Sequence, residues 1–298
     1  MVARINHHPL IAIVGQTATG KTELSIKLAV KFDGAIISAD SWVVRRNVDI
    51  GTAKPSLQQR KIVPHYMLDV AEPDEDFSAA RYKQEATKCI AQVINNGKVP
   101  IIVGGTGLYV DAVLYDYSFL PAPSTEVRSR LNSMTLSELH KLAESRDLPL
   151  ESVDSRNKRR VIRLIETNGR AARHGNIRPC SLLIGLYSPK DELIKRITMR
   201  VELMIKAGLI NEVDVLKRQY GWDCEALKGI GYHEWKLYFE SNQTLETTKQ
   251  RIVVDTYNLS KRQYTWFKRN KSIHWFSTPV NYTMIEDLVT TFLNKDSC

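Results

Sequence analysis

Over the first 120 residues the apolar positions gather into short solid runs, and beyond them they spread into a helical rhythm. Leu10-Ile11-Ala12-Ile13-Val14, Gly34-Ala35-Ile36-Ile37-Ser38 and Val99-Pro100-Ile101-Ile102-Val103 are apolar without alternation, as strands covered on both faces are. Tyr66-Met67-Leu68-Asp69-Val70 is a further candidate strand. Between the runs, Leu24, Leu28 and Phe32 recur one helical turn apart, and a helix is predicted from about 78 to 95, ended by Asn96-Gly97. Strands this apolar, separated by helices, predict an α/β fold with a parallel sheet.

Leu120-Pro121-Ala122-Pro123-Ser124 breaks the pattern. From 121 to 155 the chain is polar and helical with no strong apolar run of its own, so it reads as a small helical insertion rather than a self-sufficient domain. The core would then be 1–120 together with 156–298. Leu182-Leu183-Ile184-Gly185-Leu186-Tyr187 returns to strand character, and from Pro189 the pattern is helical: Ile194, Ile197, Val201 and Ile205, then 211–218, then about 245–268. No apolar run approaches the ~20 residues of a membrane span. The segment 1–9 is too short and polar for a signal peptide. Cys89, Cys180, Cys224 and Cys298 are far apart and have no metal-ligand spacing, which suits reduced thiols. The expectation is a cytoplasmic monomer without membrane attachment.

The first strand runs into Gly15-Gln16-Thr17-Ala18-Thr19-Gly20-Lys21-Thr22, a complete G-x-x-x-x-G-K-[ST] loop between strand and helix. Its glycines let backbone N–H groups close around phosphate oxygens, Lys21 adds charge, and the Thr22 hydroxyl can hold Mg²⁺. The sheet is therefore predicted to be of the P-loop NTPase type, with its ligand beyond the carboxyl ends of the strands. Asp40 and Ser41 follow the second strand and Thr106 follows Gly104-Gly105, which puts all three on that edge. Asp40 can cap its own turn, hold Mg²⁺ through water, or take a proton. No second acid follows the later strand, unlike an ordinary ATPase.

The chain carries 42 Lys and Arg against 33 Asp and Glu, a net charge of +9. Clustered cations of this kind suit a polyanionic partner. Arg156, Arg159, Arg160 and Arg163 share one face if the segment is a helix, with Val161, Ile162, Leu164 and Ile165 behind them. A second basic group, 261–269, interleaves Tyr264, Trp266 and Phe267; Tyr264 and Phe267 lie one turn apart and read as core rather than base-stacking rings.

These motifs together resemble the tRNA dimethylallyltransferase family. The resemblance rests on Gly15 to Thr22, Ile37-Ser38-Ala39-Asp40-Ser41, Asp49-Ile50-Gly51-Thr52-Ala53-Lys54-Pro55 and Val103-Gly104-Gly105-Thr106-Gly107-Leu108-Tyr109. Further on come Arg159-Arg160-Val161-Ile162-Arg163, Ala207-Gly208-Leu209 with Glu212-Val213, Gly231-Tyr232, and Arg262-Gln263-Tyr264-Thr265-Trp266-Phe267. It covers roughly residues 10 to 276. It implies transfer of a dimethylallyl group from its diphosphate to the exocyclic amine of the adenosine 3′-adjacent to the anticodon. Gly15, Thr17, Ala18, Thr19, Gly20, Lys21 and Thr22 would hold the diphosphate, with Mg²⁺ on Thr22. Asp40, Thr106 and Lys21 would be catalytic. Asp40, Ser41, Trp42, Val43, Thr106, Arg128, Arg159, Arg160, Arg163, Lys228 and His233 would meet the anticodon stem-loop of tRNA.

The chain departs from the family pattern at Val43 (usually Gln), Arg45 (Tyr), Asn47 (Gly), Asn157 (Asp) and His233 (Arg or Lys). An adenylate isopentenyltransferase acting on free nucleotide would need neither the insertion nor the basic stretches. A small-molecule kinase would be expected to carry the missing second acid, and an RNA-binding protein with a vestigial loop would not need Gly20-Lys21-Thr22 and Asp40 intact.

Overall fold

The computed structural model describes residues 7–121 and 123–294. Segment 1–6 and Cys298, to which the leader and thiol expectations refer, lie outside them. The chain divides into two compact units, one formed by residues up to Tyr115 and from Ile177 onward, the other by Asp116–Asn176.

The first unit is built on six parallel strands: β1 (Leu10–Gly15), β2 (Gly34–Ser38), β3 (His65–Tyr66), β4 (Val99–Val103), β5 (Ser181–Tyr187) and β6 (Ile273–Ser277). Their order is β3-β2-β4-β1-β5-β6. Its helices are α1 (Lys21–Lys31), α2 (Leu57–Ile62), α3 (Ala79–Asn95) and α4 (Gly107–Leu114), and its later ones are numbered below after those of the second unit. The solid apolar runs are buried because helices cover both faces of the sheet. Leu10, Ala12 and Val14 point to one core with Tyr82, Ala86 and Ile90 of α3, while Ile11 and Ile13 point to the other with Leu24 and Leu28 of α1.

The candidate strand 66–70 forms only at His65–Tyr66. Met67 and Asp69 take positive φ values of 62° and 57°, which no strand accommodates, and the chain turns so that Asp69 reaches Lys54. Strand β6 was not anticipated, because Ile273-His274-Trp275-Phe276 is too mixed to stand out. It is fixed by pairing with β5, Leu183 opposite Ile273 through Tyr187 opposite Ser277.

The second unit holds α5 (Thr125–Ser133), α6 (Leu136–Glu144) and α7 (Lys158–Glu166). It is larger than the predicted 121–155 insertion and has a core of its own. Leu131 and Leu139 pack with Val161, Ile162 and Ile165, so the apolar face of α7 completes a cluster that residues 121–155 could not close alone. Asn157 caps α7, its side chain accepting from the Arg160 N–H. Arg156 therefore precedes the helix and does not share its face.

Returning to the first unit, α8 (Lys190–Lys206), α9 (Leu209–Tyr220), α10 (Lys236–Phe239), α11 (Leu245–Lys268) and α12 (Tyr282–Leu293) complete the chain. Helices α8, α9 and α11 enclose a further core with Trp235 and Tyr232. No helix of the described residues is long and apolar enough to cross a membrane.

Candidate active site

The phosphate loop leaves β1 where the neighbouring backbone comes closest. Gly15 has φ +122°, and a Cβ there would lie 2.1 Å from the Leu186 carbonyl oxygen, so only glycine fits. Helix α1 starts at Lys21 with Gly20 as its cap and no side chain on its first amides. Those N–H groups and the positive end of the helix face the space where a phosphate would sit. The rest of the loop is held from several sides. Thr19 Oγ1 donates to the Gln16 carbonyl at 2.7 Å, the Gln16 side-chain oxygen accepts from Ser188 N–H at 2.9 Å, and Gln263 Oε1 accepts from Thr17 N–H at 2.8 Å.

Beyond the strand ends lies a cavity of about 370 Å³, walled by residues 17–22, Ser38, Asp40, Gly104, Gly105, Arg200 and Gln263. Lys21 Nζ folds back onto the Gly15 and Gln16 carbonyls at 3.1 and 2.6 Å. Burial and the neighbouring Arg200 charge pull its pKa down to about 7, against the opposing pull of Asp40. Arg200 Nη1 donates to Thr17 Oγ1 at 3.1 Å. Two half-buried cations thus share the cavity with one carboxylate, an arrangement that favours an incoming polyanion. One Asp40 oxygen accepts from Trp42 N–H at 2.9 Å, so the residue caps its turn and also stands on the cavity wall.

A smaller cavity of about 80 Å³ also touches Thr17, Asp40 and Arg200, and its remaining wall is largely apolar, with Ile197, Val201, Met204 and Leu259. Thr106 stands just outside both cavities. Its Oγ1 accepts from Ser41 N–H at 3.0 Å and lies 3.3 Å from the Ser41 hydroxyl, tying the start of α4 to the Asp40 loop. The two glycines before it have a steric reason. A Cβ on Gly105 would sit 2.1 Å from Gln263 Nε2, because α11 crosses over this turn to deliver Gln263 to the phosphate loop.

The segment 49–55 is a buttress. Lys54, its side chain 1% exposed, meets Asp49 at 2.5 Å, Asp69 at 2.8 Å and the Arg45 carbonyl at 2.6 Å. Burial would raise the Asp69 carboxyl, but hydrogen bonds from Lys54 and Arg60 outweigh it and hold Asp69 below its usual range. Glu212 accepts from the Asp49, Ile50 and Gly51 amides and from the Tyr232 hydroxyl at 2.6 Å.

The structure gathers Lys21, Thr22 and Asp40 around one cavity. It does not offer Val43 as a surface contact: the side chain is 6% exposed and turned to the cavity, as a Val at a core position must be. Trp42 is half-buried over Gly229. Lys228 is paired with Glu225. His233 lies 3.4 Å from Glu234 and 3.6 Å from Asp255. In the second unit, Arg159 and Arg160 are exposed. Arg128 and Arg163 instead converge on Glu166, at 2.7 Å and 3.3 Å to its Oε2, and Arg163 also donates to the Leu120 carbonyl. Phe267 is buried in the core, whereas Tyr264 is only half-buried and packs on Tyr187 and Trp275.

Arg200, Gln263 and Glu212 did not emerge from sequence reasoning as site residues. A signal for Arg200 existed: it lies three residues after Ile197 and four before Met204, a cation on the inward stripe of α8.

A parallel sheet whose first strand runs through the Gly15–Thr22 loop into a helix, with Asp40 and Arg200 on the same cavity, defines an α/β fold of the P-loop type. The chain belongs to the IPP transferase family, whose model matches residues 44–270. It is 42% identical over 302 residues to a tRNA dimethylallyltransferase of Roseiflexus sp. (strain RS-1), covering 96% of this chain and 98% of that one. The full-length tRNA isopentenylpyrophosphate transferase of Bacillus halodurans is 34% identical, with a TM-score of 0.76 over 97% of both chains. A eukaryotic dimethylallyltransferase acting on tRNA shares the fold, with a TM-score of 0.77 at 24% identity over 91% of this chain and 74% of that one.

Proposed function

We propose that the chain transfers a dimethylallyl group from dimethylallyl diphosphate to the exocyclic amine of the adenosine 3′-adjacent to the anticodon of tRNA. The observation that carries this reading is that Asp40 lines both the cavity at the phosphate loop and the smaller apolar one beside it. The loop amides, Lys21 and Arg200 bind the diphosphate as a leaving group. A P-loop kinase would instead transfer a phosphoryl group to its acceptor. The apolar wall of the smaller cavity gives the hydrocarbon a place beside Asp40.

As the carbon–oxygen bond of the substrate breaks, negative charge grows on the diphosphate, and Lys21 and Arg200 stabilise it. The adenine amine is a weak nucleophile and must lose a proton as the new carbon–nitrogen bond forms; Asp40 takes it. Thr106 holds the loop that carries Asp40 and acts by positioning. Thr22 and Asp40 both offer oxygen donors at the cavity, a set that suits Mg²⁺ when completed by phosphate oxygens. When bound there, Mg²⁺ would supply further neutralisation of the leaving group, held by Thr22. The target base must leave the anticodon-loop stack to reach the cavity. Arg159 and Arg160 are exposed cations suited to the RNA backbone, in keeping with the charge of +9.

The reading is tested by incubating the protein with Mg²⁺ and dimethylallyl diphosphate plus either tRNA or AMP, then analysing nucleosides by mass spectrometry. Prenylated adenosine in tRNA with little product from AMP is the expected result. Equal prenylation of AMP would make it an adenylate isopentenyltransferase.

A further inference from the structure

Away from the phosphate loop, three side chains converge between the segment that follows the 3₁₀ turn Glu225–Lys228 and the middle of α11. His233, Glu234 and Asp255 each aim one donor atom into a common space, with those atoms within 4.8 Å of one another. The proposed transfer uses none of the three. Among the described residues, this is the group that brings three metal-ligating side chains together.

His233 Nδ1 lies 3.0 Å from the Gly229 carbonyl oxygen, which can only accept, so Nδ1 carries a hydrogen and Nε2 is the ring nitrogen available to a metal. That nitrogen lies 3.6 Å from Asp255 Oδ2, another lone-pair donor. The Glu234 side chain is 1% exposed. Its Oε2 accepts from the Gly231 amide at 2.8 Å, but its Oε1 has no hydrogen-bond partner. A buried carboxylate with an open oxygen, beside a second carboxylate and an imidazole oriented by a backbone carbonyl, is a donor set of the kind that holds a divalent ion.

We propose that His233 Nε2, Glu234 and Asp255 form a site for a divalent transition ion, Zn²⁺ being the best fit. One imidazole and two carboxylates neutralise the ion's charge, and three protein ligands with an open side match an N/O zinc site completed by water. The imidazole disfavours Mg²⁺, so this site and the hard-oxygen site at Thr22 select different ions. The role is structural. The ion would pin the segment 229–235 to α11, and Gly231 and Ile230 of that segment line the cavity shared with Asp40.

The test uses the full chain stripped with a chelator and then held in excess Mg²⁺, so that hard-oxygen sites are filled. Zn²⁺ is titrated by calorimetry, and Co²⁺ is followed by its visible absorption. Wild type should bind one ion per chain and unfold at a higher temperature with Zn²⁺. Asp255→Asn and His233→Lys, both at partly exposed positions, should fold normally. Each should bind at least ~10-fold more weakly, the least expected when even an outer partner of a ligand is lost. His233→Lys should keep its thermal stability without metal, because its ammonium sets a positive charge beside the two carboxylates. If Zn²⁺ and Co²⁺ bind all three proteins alike, or bind none of them, the proposal is wrong. A wild type whose unfolding temperature follows pH but not Zn²⁺ would mark the cluster as a proton-linked pair instead, and would overturn it equally.

Discussion

The cations of the phosphate loop and those of the arginine helix do opposite things with the same kind of charge. Around the loop, Lys54 is buried and Lys21 and Arg200 are half-buried, and protein oxygens fix their position before any ligand arrives. On α7, Arg159 and Arg160 stand in solvent. The first arrangement is costly to build and pre-organised, which suits recognition of a small anion and stabilisation of developing charge. The second costs the fold little and suits a flexible polyanion bound by counterion release. Between them stand Arg128 and Arg163, exposed in part but drawn onto the buried Glu166 carboxylate.

The largest stability effect expected is at Lys54. Lys54→Ala removes the partner of Asp49 and Asp69 and should cost less than the ~3 kcal/mol of a fully buried pair, because both acids keep access to solvent and Asp69 keeps Arg60, read by chemical denaturation. The same pair predicts a pH signature. Asp69 is held below its usual value near 3.8, so its contribution is complete above that value and is lost as pH falls through the depressed one. Wild type should lose that increment in acid, and Lys54→Ala should lose less; equal acid sensitivity in both would detach Asp69 from Lys54.

Next in size is Asp40→Asn, which should keep fold and tRNA affinity while slowing single-turnover transfer by at least ~100-fold, the low end for losing a general base. A near-wild-type rate would remove Asp40 from that role. On the arginine helix the effects are smaller. Arg159→Ala with Arg160→Ala should weaken tRNA binding and flatten its salt dependence by roughly one unit of log–log slope per lost phosphate contact. Arg163→Ala should change that slope least, since its charge already serves Glu166. A slope change from Arg163 equal to that from Arg160 would show that the Glu166 pair does not hold it.

The same contrast explains what could be read from the chain. The strands β1, β2, β4 and β5 were legible because both-face burial writes itself as an unbroken apolar run. The phosphate loop was legible because its chemistry is local: glycines, lysine and threonine act within eight consecutive residues. Asp40 was legible because strand ends share an edge. Arg200, Gln263 and Glu212 were not, because each reaches its partner from a distant helix, and the reason lies in tertiary packing rather than in spacing. The second unit was misjudged because its core is shared between 121–155 and α7. The arginine stripe was three-quarters right: Asn157 starts the helix and leaves Arg156 outside it.

The central claim is that diphosphate recognition and RNA recognition reside in these two different kinds of cation. It is tested most directly by a crossed binding measurement. Affinities for dimethylallyl diphosphate and for tRNA are measured on wild type, on Lys21→Ala, and on the Arg159→Ala, Arg160→Ala pair. Lys21→Ala should lose diphosphate affinity and keep tRNA affinity, and the arginine pair should do the reverse. If Lys21→Ala instead loses tRNA affinity with diphosphate binding intact, or if both proteins lose both ligands in equal measure, the division of labour does not exist.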